Sequence, residues 1–439
     1  MNQKSETLLE RLKAILEGTD LSIAEIRKEA FDFGRFLSAA EKMQSKLGHS
    51  LCLAKWMQTS LHLTTGHTNS CYHPPLHRIN IDDLTNNPSA LHNTEFKKAQ
   101  RQRMLRGERP EECSYCWRVE ATGNLSDRHY RSGEPWAAEH YDKIKTEDPL
   151  TWNVNPAYVE VNFSNVCNLQ CSYCSPQFSS AWQKEINEHG AYPTSNRHND
   201  PTYFTGDRKP IPNRENNPYV DAFWRWWPEL YPNLKHFRMT GGEPLMDPQH
   251  YRILDMLAPY GHQIEIKYAT NGTTLGIKGG RNVHEYWPKF RSVAVNVSID
   301  GIGPVYNYIR GNGDWNAVVQ NVQEIKAIPN VSRVVGAVAV QVSNVLILDK
   351  MIEYFLDELG IVFYTNMVKY PNVLSVQVLP DYLKGLAIQR LEFVRDRVPT
   401  FKYVKENPLL LNITLGQING IINFIRHLLE PFYLLKKYW

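Results

Sequence analysis

Two groups of cysteines are the residues in this sequence with the clearest capacity for chemistry. Cys167, Cys171 and Cys174 follow one another in the spacing CxxxCxxC, so one tight loop can bring their sulfurs to a common centre. Thiolates are the preferred ligands of soft metals and of iron-sulfur clusters. Three thiolates leave a four-iron cluster with one open iron, where a substrate or cofactor can bind. The same spacing also fits part of a zinc site completed by a distant His or Cys.

The second group of cysteines lies earlier in the chain. Cys52 and Cys71 lie on either side of Gly66 in the spacing C-x13-G-x4-C, and Cys113 and Cys116 form a CxxC pair. The glycine permits a sharp turn, and a hairpin between Cys52 and Cys71 would bring these two sulfurs together. Four thiolates are enough to saturate a metal. The group therefore fits an iron-sulfur cluster or a structural zinc ion.

A strand is predicted immediately before the CxxxCxxC loop. Val159, Val161 and Phe163 alternate with polar residues there. Five further strands are predicted in the stretches 234–244, 264–272, 293–301, 333–344 and 361–368. Helix-like segments separate these strands, so the pattern predicts an α/β fold.

Polar residues follow the carboxyl ends of the predicted strands, where parallel α/β folds build their sites. After the second strand, two glycines let the backbone approach a ligand, and the carboxylate beside them can accept hydrogen bonds from an ammonium group. The other polar residues could also end strands or cap helices. The set comprises Gly241, Gly242, Glu243, Thr270, Asn271, Ser298, Asp300, Gln341, Ser343 and Asn344.

The CxxxCxxC loop, the Gly-Gly-Glu motif and the polar strand ends together resemble the radical SAM enzymes. The resemblance covers about residues 50–380 and implies a partial (β/α)6 barrel. It also implies a 4Fe-4S cluster on Cys167, Cys171 and Cys174, with the open iron chelated by S-adenosylmethionine (SAM). Tyr173 is an aromatic residue of the kind that this family places before its last cysteine.

The resemblance further implies which residues bind SAM. Gly241, Gly242 and Glu243 match the motif that holds its amino group. Four further residues match family positions that contact the ribose, the carboxylate or nearby polar atoms of SAM, namely Thr270, Asn271, Ser298 and Asp300. Arg310 is a candidate for a carboxylate contact, with a surface ion pair as the alternative. Gln341, Ser343 and Asn344 are candidates for contact with cofactor or substrate.

Residues 50–135 resemble the twitch module, the shortened form of the SPASM domain, which carries an auxiliary 4Fe-4S cluster. The resemblance implies that Cys52, Cys71, Cys113 and Cys116 ligate such a cluster fully. In the family the module usually follows the radical SAM domain, whereas here it precedes it. A zinc site with four cysteine ligands remains open as the alternative.

The predicted organisation has four parts. They are an N-terminal helical segment (1–49), the twitch-like module (50–135), the partial barrel (136–385) with a lid-like insertion at 176–232, and an apolar helical tail (386–439). A polar linker is predicted near 120–150. Trp224, Trp226 and Trp227 could form a substrate wall or belong to the core. The tail could pack against the N-terminal helices or a partner, or contact a membrane interface.

The composition restricts the compartment and the partners. The formal net charge is +3, too mild to imply nucleic acid, and the basic run at 96–109 reads as a solvated helix face. All seven cysteines fall before residue 175 and no secretory signal is recognised, which favours a reducing cytoplasm. No apolar stretch is long enough to span a membrane.

The resemblance implies a radical SAM enzyme that cleaves SAM reductively and abstracts a hydrogen atom from its substrate. A peptide or protein is the expected substrate, to be oxidised or cross-linked, and a sugar or other small molecule is the alternative. A reductase or flavodoxin-type protein would supply the electron. A non-catalytic iron-sulfur or zinc scaffold is the hypothesis of another class.

Overall fold

A sheet of nine strands forms the centre of the computed structural model, which describes residues 38–193 and 209–427. The strands of this sheet are β1 (Gln58–His62), β2 (His67–Asn69), β3 (His77–Arg78), β4 (Tyr158–Asn162), β6 (His236–Thr240), β7 (Glu265–Thr270), β8 (Ser292–Ser298), β10 (Val331–Val340) and β11 (Val362–Met367). A separate two-stranded sheet pairs β5 (Gln170–Cys171) with β9 (Arg310–Gly311).

The first seven α-helices after the helix over 38–47 are α1 (Ala54–Met57), α2 (Asp83–Asn86), α3 (Glu95–Leu105), α4 (Ser114–Ala121), α5 (Asp127–Gly133), α6 (Pro135–Ala138) and α7 (Tyr141–Thr146). The remaining α-helices are α8 (Ser180–His189), α9 (Pro218–Leu230), α10 (Pro248–Leu257), α11 (Val283–Tyr286), α12 (Pro304–Ile309), α13 (Trp315–Ala327), α14 (Leu348–Tyr354), α15 (Asp381–Arg397), α16 (Lys402–Glu406) and α17 (Leu410–His427).

Six strands of the large sheet are neighbours in chain order and run parallel: β4, β6, β7, β8, β10 and β11. Helices occur in each connection between them. The predicted α/β fold is confirmed, and so is the order of six strands expected of a partial (β/α)6 barrel. The carboxyl ends of these strands lie along one edge, where the polar residues of the motifs follow them.

The two faces of this sheet differ in polarity because side chains alternate along each strand. Val159, Phe237 and Ile266 belong to one face and are fully buried in the main hydrophobic core. On the opposite face, the strand register places Glu160 beside Arg238 and Arg238 beside Lys267. We call these three residues the polar row. They are half-buried, so solvent reaches part of each of these side chains.

The sheet continues beyond β4 into the cysteine-rich N-terminal region. β1 pairs in parallel with β4, and β2 and β3 add two antiparallel strands. The hairpin of β1 and β2 confirms the turn predicted between Cys52 and Cys71, and Gly66 in this turn has φ +69°. A side chain at Gly66 would collide with the ring of Tyr219, whose carbon atom Cζ lies 2.1 Å from an added Cβ.

The polar linker predicted near 120–150 was wrong, because this segment folds into α5, α6 and α7. Trp136 and Ile144 are buried in a second hydrophobic core together with Leu53 and Trp56 of the N-terminal region. The segment reads as polar because charged residues of both signs are numerous in it. Arg128, however, is buried and donates hydrogen bonds to two backbone carbonyls, those of Gly48 and Leu51.

The tryptophans of α9 belong mainly to the core. Trp226 and Trp227 are buried in the main hydrophobic cluster, and Trp224 packs against it while partly exposed. The substrate-wall alternative was therefore wrong for Trp226 and Trp227. Part of the predicted lid-like insertion, 194–208, lies outside the described residues.

The described part of the C-terminal tail packs on the barrel. α17 lies against α15 and β11, and Ile418, Ile421 and Ile422 are buried. The backbone N–H of Thr365 on β11 donates to Gln417 Oε1 at 3.0 Å. Residues 1–37 and 428–439 lie outside the described residues, and so do most of the predicted N-terminal helices. Among the helices of residues 38–193 and 209–427, none is both long and apolar enough to cross a membrane.

Candidate active site and four-cysteine pocket

The loop of Cys167, Cys171 and Cys174 leaves the carboxyl end of β4 and is held by the start of α8. Ser179 caps this helix by accepting a hydrogen bond from the N–H of Trp182, and its hydroxyl donates to the carbonyl of Leu169 at 2.6 Å. The indole N–H of Trp182 donates to the carbonyl of Cys171 at 3.0 Å. Helix α8 therefore fixes the loop at two separate carbonyls.

The three thiols of this loop lie near one another, and those of Cys167 and Cys171 accept hydrogen bonds from side chains. Asn271 Nδ2 lies 3.8 Å from Cys167 Sγ, and Arg310 Nη1 lies 3.6 Å from Cys171 Sγ. Burial raises the pKa of Cys171 to about 11. The pKa of Cys174 is also raised, mainly by burial and to a smaller extent by the thiols of Cys171 and Cys167. Donors aimed at sulfur favour thiolates, which is the form that ligates iron. The site thus fits a cluster bound through these three cysteines.

The two glycines of the Gly-Gly-Glu motif let β6 approach this loop closely. Gly241 has φ +126°, and a Cβ at Gly242 would lie 2.2 Å from the carbonyl oxygen of Val166. The N–H of Glu243 donates to the same carbonyl at 2.6 Å. The sequence predicted an approach of the backbone to a ligand. In the structure, the glycines bring the motif against the backbone of the cysteine loop.

Glu243 is the best connected of the predicted SAM-binding residues. Its carboxylate is 1% exposed and accepts hydrogen bonds from the Asn271 N–H at 2.6 Å and the Thr270 hydroxyl at 2.7 Å. The N–H of Leu245 donates a third, at 3.0 Å. Burial raises the pKa of Glu243 to about 7, although these hydrogen bonds oppose the shift. A carboxylate in this position would be stabilised by a cation such as an ammonium group.

Tyr173, Asp300 and Arg310 form a buried group on the other side of the loop. Arg310 Nη2 lies 2.8 Å from Asp300 Oδ2, and the Tyr173 hydroxyl donates to the same oxygen at 2.7 Å. The second oxygen of Asp300 accepts a hydrogen bond from the N–H of Ala339. Arg310 is only 4% exposed, so the surface ion pair considered for it was wrong. Both Asp300 oxygens are engaged within the protein.

The residues after β10 also reach the cysteine loop. Ser172 Oγ donates to Gln341 Oε1 at 3.2 Å, and Gln341 Nε2 is buried without a hydrogen-bond partner among the described residues. Asn344 donates to the carbonyls of Asp300 and Ala339 and so ties two strand ends together. The side chains of Ser298 and Ser343 are half-buried at the ends of β8 and β10.

The four cysteines of the N-terminal region line one pocket. Cys52, Cys71, Cys113 and Cys116 are among the residues that line a cavity of about 30 Å³. Burial, together with neighbouring thiols, raises the pKa of Cys113 to about 12 and that of Cys116 to about 11. The hairpin and the CxxC pair therefore bring the predicted ligands together around a cavity. In the parts of the chain that the structure describes, no three His, Cys, Asp or Glu side chains form a group that could hold a metal ion.

Buried cations adjoin this pocket, and sequence reasoning missed them. Lys55 is buried with Glu112, and Arg128 is buried and donates to Glu120 at 2.8 Å. The charges of Arg128 and Lys55 oppose the rise that burial produces in the pKa of Cys52. Lys and Arg side chains are usually exposed, and nothing in the surrounding sequence indicated that these two are buried. They make the surroundings of the pocket favourable for a negatively charged group.

Tyr72 connects the pocket with the polar face of the sheet. It follows Cys71 and lines the pocket, and its hydroxyl lies 2.6 Å from that of Tyr158 on β4. The guanidinium of Arg238 lies 5.1 Å from the centre of the Tyr72 ring. Arg238 in turn lies 3.6 Å from Glu160. The four-cysteine pocket and the polar row are therefore joined by direct side-chain contacts.

Fold and site together define an α/β protein with a three-thiol centre at the carboxyl edge of a parallel sheet. A family model described as the Radical SAM superfamily matches residues 161–340, from within β4 to the end of β10. The chain therefore carries a radical SAM superfamily domain, the domain of a superfamily of enzymes, and this part of the resemblance is confirmed.

Comparison with individual proteins gives distant relatives. GTP 3',8-cyclase of Psychromonas ingrahamii is 24% identical over 213 residues, covering 48% of this chain and 49% of that protein. The chain thus spans about half the length of the curated relative it matches.

Among solved structures, Streptococcus suis SuiB bound to S-adenosylmethionine is 12% identical, with a TM-score of 0.37, over 78% of this chain and 70% of that one. TYW1 with a lysine-pyruvate adduct is 12% identical, with a TM-score of 0.29, over 55% and 71%.

Proposed function

We propose that the chain is a radical SAM enzyme that binds a 4Fe-4S cluster through Cys167, Cys171 and Cys174. The observation that carries this proposal is the meeting of the cysteine loop with the Gly-Gly-Glu motif, where Glu243 N–H donates to Val166 O at 2.6 Å. This contact places a buried carboxylate beside a loop of three thiols. A metal-binding scaffold has no need of such a carboxylate, whereas a site for SAM does.

The chemistry supplied by the bound cluster and SAM is one-electron cleavage of SAM to methionine and a 5'-deoxyadenosyl radical, which removes a hydrogen atom from a substrate C–H bond. The residues of the chain bind and orient the reactants. Glu243 would hold the amino group of SAM. The carboxylate of Glu243 is fixed by hydrogen bonds from the Thr270 hydroxyl at 2.7 Å and the Asn271 N–H at 2.6 Å. Gly241 and Gly242 keep this motif against the cysteine loop.

The other predicted SAM contacts are proposed with roles that follow from their surroundings. Tyr173 and Arg310 would form the wall beside the cluster, with Asp300 holding both. Ser298 would offer its hydroxyl from the end of β8. Gln341 has a buried amide N–H group free to donate to a bound molecule.

We also propose that residues 50–135 act as a twitch-like module with an auxiliary 4Fe-4S cluster on Cys52, Cys71, Cys113 and Cys116. The four thiols line one cavity, and four thiolates are the ligand set that would saturate such a cluster. The nearby cations Lys55 and Arg128 suit the negative charge of a cluster with four thiolate ligands. Such a site would accept an electron from the substrate radical, so that the net reaction is an oxidation or a cross-link.

The substrate would bind on the polar face of the sheet, between the two cysteine sites. Among the described residues, the contacts of the Glu160 carboxylate are long, at 3.4 Å to the hydroxyls of Ser60 and Thr240 and at 3.6 Å to Arg238. Its carboxylate is therefore able to accept hydrogen bonds from a ligand. The polar row presents acceptors and donors side by side, which suits the amide groups of a peptide or protein. A sugar or other small molecule is the alternative. We place the reaction in the cytoplasm, with a reductase or flavodoxin-type electron donor.

The test is to reconstitute the protein anaerobically and to measure iron, sulfide and 5'-deoxyadenosine formed with SAM and dithionite. Two variants separate the sites. The loop variant carries Cys167→Ala, Cys171→Ala and Cys174→Ala, and the pocket variant carries Cys113→Ala and Cys116→Ala. We expect about eight irons per wild-type chain and about four in each variant. Only the loop variant should lose SAM cleavage.

The outcomes distinguish the parts of the proposal. Zinc in the four-cysteine pocket, with SAM cleavage intact, would remove the auxiliary cluster and leave the radical SAM reaction. Iron-loaded wild-type protein that cleaves no SAM would contradict the enzyme and favour a scaffold. The pocket variant serves as the matched control, because it removes cysteines of the same kind while leaving the loop unchanged.

A further inference from the structure

Arg310 is attached to the cysteine loop by its backbone as well as by its side chain. β9 pairs with β5 so that Arg310 lies opposite Cys171. The N–H of Ser172 donates to the carbonyl of Ile309 at 2.8 Å and continues this pairing. A Cβ at Gly311 would lie 3.0 Å from the carbonyl oxygen of Gln170, which shows how closely the two segments approach. The position of Arg310 relative to Cys171 is therefore fixed by the fold.

The guanidinium group is oriented by three partners. Nη1 donates to Cys171 Sγ at 3.6 Å, and Nη2 donates to the Tyr173 hydroxyl at 2.8 Å and pairs with Asp300 at 2.8 Å. Asp300 is held in turn by the N–H of Ala339 at 2.7 Å. Among the described residues, Arg310 Nε has no hydrogen-bond partner although it is buried. One edge of the guanidinium thus faces the sulfur, and the other faces the carboxylate.

Such a contact has a physical consequence for a cluster bound to Cys171. A cluster with thiolate ligands becomes more negative by one charge when it is reduced. A nearby cation and an N–H group aimed at sulfur stabilise the reduced form more than the oxidised form, which raises the reduction potential. Water screens this effect little at a buried position.

We propose that Arg310 is a positioning residue that raises the reduction potential of the cluster on Cys167, Cys171 and Cys174, and that Asp300 limits this effect by pairing with its guanidinium. The proposal rests on the proposed function, because it needs an iron-sulfur cluster at this loop. It assigns to Arg310 an action on the cluster itself, present before SAM binds. A contact with the SAM carboxylate would instead act only when SAM is bound.

The experiment measures the midpoint potential of the cluster in SAM-free holoprotein by redox titration with electron paramagnetic resonance. The signal of this cluster is identified by its loss in the loop variant. Arg310→Gln should shift the potential to a more negative value, because it removes the cation. Asp300→Asn should shift it to a more positive value, because the guanidinium then acts without its carboxylate. A role confined to folding would not produce shifts of opposite sign.

Two further variants serve as controls in case Arg310→Gln does not fold. Arg310→Lys keeps the charge and should lie closer to the wild type in potential than Arg310→Gln does. Arg390→Gln is the matched control, because Arg390 pairs with Asp349 at 2.9 Å in the helical layer, and it should leave the potential unchanged. If Arg310→Gln does not assemble the cluster, the signs found for Asp300→Asn and Arg310→Lys decide the question.

The results separate this inference from the proposed function. Wild-type protein without a 4Fe-4S signal would remove the proposed function and the inference with it. Wild-type protein with a normal cluster, but equal potentials in Arg310→Gln, Asp300→Asn and the wild type, would overturn the inference alone. A weaker affinity for SAM in Arg310→Gln, without any shift of the SAM-free potential, would assign Arg310 to SAM and also overturn it.

Discussion

The hydroxyl groups of Tyr72 and Tyr158 lie 2.6 Å apart and join the wall of the four-cysteine pocket to strand β4. Tyr158 is buried, and its backbone pairs with both neighbours of β4 in the sheet. Tyr72 is the residue after Cys71, so the contact fixes the position of a predicted cluster ligand against the sheet. Arg131 and Arg238 flank the Tyr72 ring at 5.5 and 5.1 Å from its centre.

The first prediction concerns this hydrogen bond. Tyr72→Phe and Tyr158→Phe should each lower the free energy of unfolding by about 1 kcal/mol, because each leaves a polar partner less well satisfied. The double variant should cost less than the sum of the two, since both changes remove the same bond. Urea unfolding of the apoprotein measures the four values.

The control for this cycle is Tyr308→Phe. Tyr308 is 76% exposed, so its hydroxyl is solvated and the variant should unfold like the wild type. Full additivity of the Tyr72 and Tyr158 changes would show that the two hydroxyls do not interact in solution.

The second prediction concerns Glu243, whose pKa burial raises to about 7. An ammonium group bound beside it favours the charged carboxylate, so SAM binding below pH 7 must release a proton from Glu243. The affinity of the wild type for SAM should therefore fall about tenfold per pH unit below 7. Glu243→Gln should bind SAM weakly and without this dependence. Isothermal titration in buffers of different ionisation enthalpy measures the proton release, and an absence of release at pH 6 would contradict the assignment.

The same carboxyl group affects stability when SAM is absent. Its folded pKa of about 7 lies above the ordinary value of 4.5, so the protonated form is favoured by folding. Its stabilising contribution is complete below pH 4.5 and is lost as the pH rises through 7. The stability of the wild-type apoprotein relative to Glu243→Gln should thus decrease by about 2–3 kcal/mol between pH 4.5 and 8. Replacing the carboxyl group by an amide also changes the free energy of unfolding by an amount that is independent of pH, so it does not affect this difference.

The sequence was sufficient where a feature depends on local spacing. The cysteine loop, the six parallel strands and the Gly-Gly-Glu turn each leave a periodic or short-range pattern. The position of β1 in the sheet leaves no such pattern, because the strand is rich in polar residues. Thr59 on β1 and Thr68 on β2 are buried because Lys97 Nζ donates to them at 3.0 and 2.7 Å. These hydrogen bonds join residues that are far apart in the sequence, so a local sequence pattern does not reveal them.

The same holds for the site, where residues in local motifs were predicted and contacts between distant segments were not. Glu243 was predicted from its motif, and its hydrogen bonds confirm that Thr270 and Asn271 lie beside it. The pairing of Arg310 with Asp300 was not predicted, because it requires β9 to return to the cysteine loop. The cations near the four-cysteine pocket were missed for a similar reason. Arg128 lies on a helix in a segment that reads as a polar linker, and only the tertiary structure shows that it is buried.

The third prediction concerns the charge around that pocket. Lys55→Met leaves the buried carboxylate of Glu112 near the thiols without its partner. We expect the variant to lose iron from the auxiliary site during reconstitution, because like charges would then oppose an anionic cluster. The double variant Lys55→Met with Glu112→Gln should recover much of this iron. Iron analysis and electron paramagnetic resonance measure both.

The control for the third prediction is Lys184→Met. Lys184 pairs with Glu188 at 3.9 Å, and their side chains are 75% and 54% exposed, so that pair is solvated. This variant should keep the full iron content. Loss of iron from Lys184→Met to the same extent would show that the loss is not caused by buried charge.

The fourth prediction concerns the contact between Gly242 and the cysteine loop. In Gly242→Ala, the added Cβ would lie 2.2 Å from the carbonyl oxygen of Val166, and this backbone cannot yield without moving the loop. We expect a loss of about 1–3 kcal/mol in the free energy of unfolding. Because the loop carries the three ligands, cluster binding at this site should fall as well. The four cysteines of the other pocket should keep their iron, so the variant should hold about half of the wild-type iron.

Gly385→Ala is the matched control for this substitution. Gly385 lies inside α15, and nothing lies within 4 Å of a Cβ added there. Alanine is the better helix former, so this variant should gain about 0.5–1 kcal/mol and keep both clusters. If Gly242→Ala assembled both clusters and unfolded like the wild type, the loop would be able to move away from β6. The close contact of Glu243 with the loop would then not be a requirement of the site.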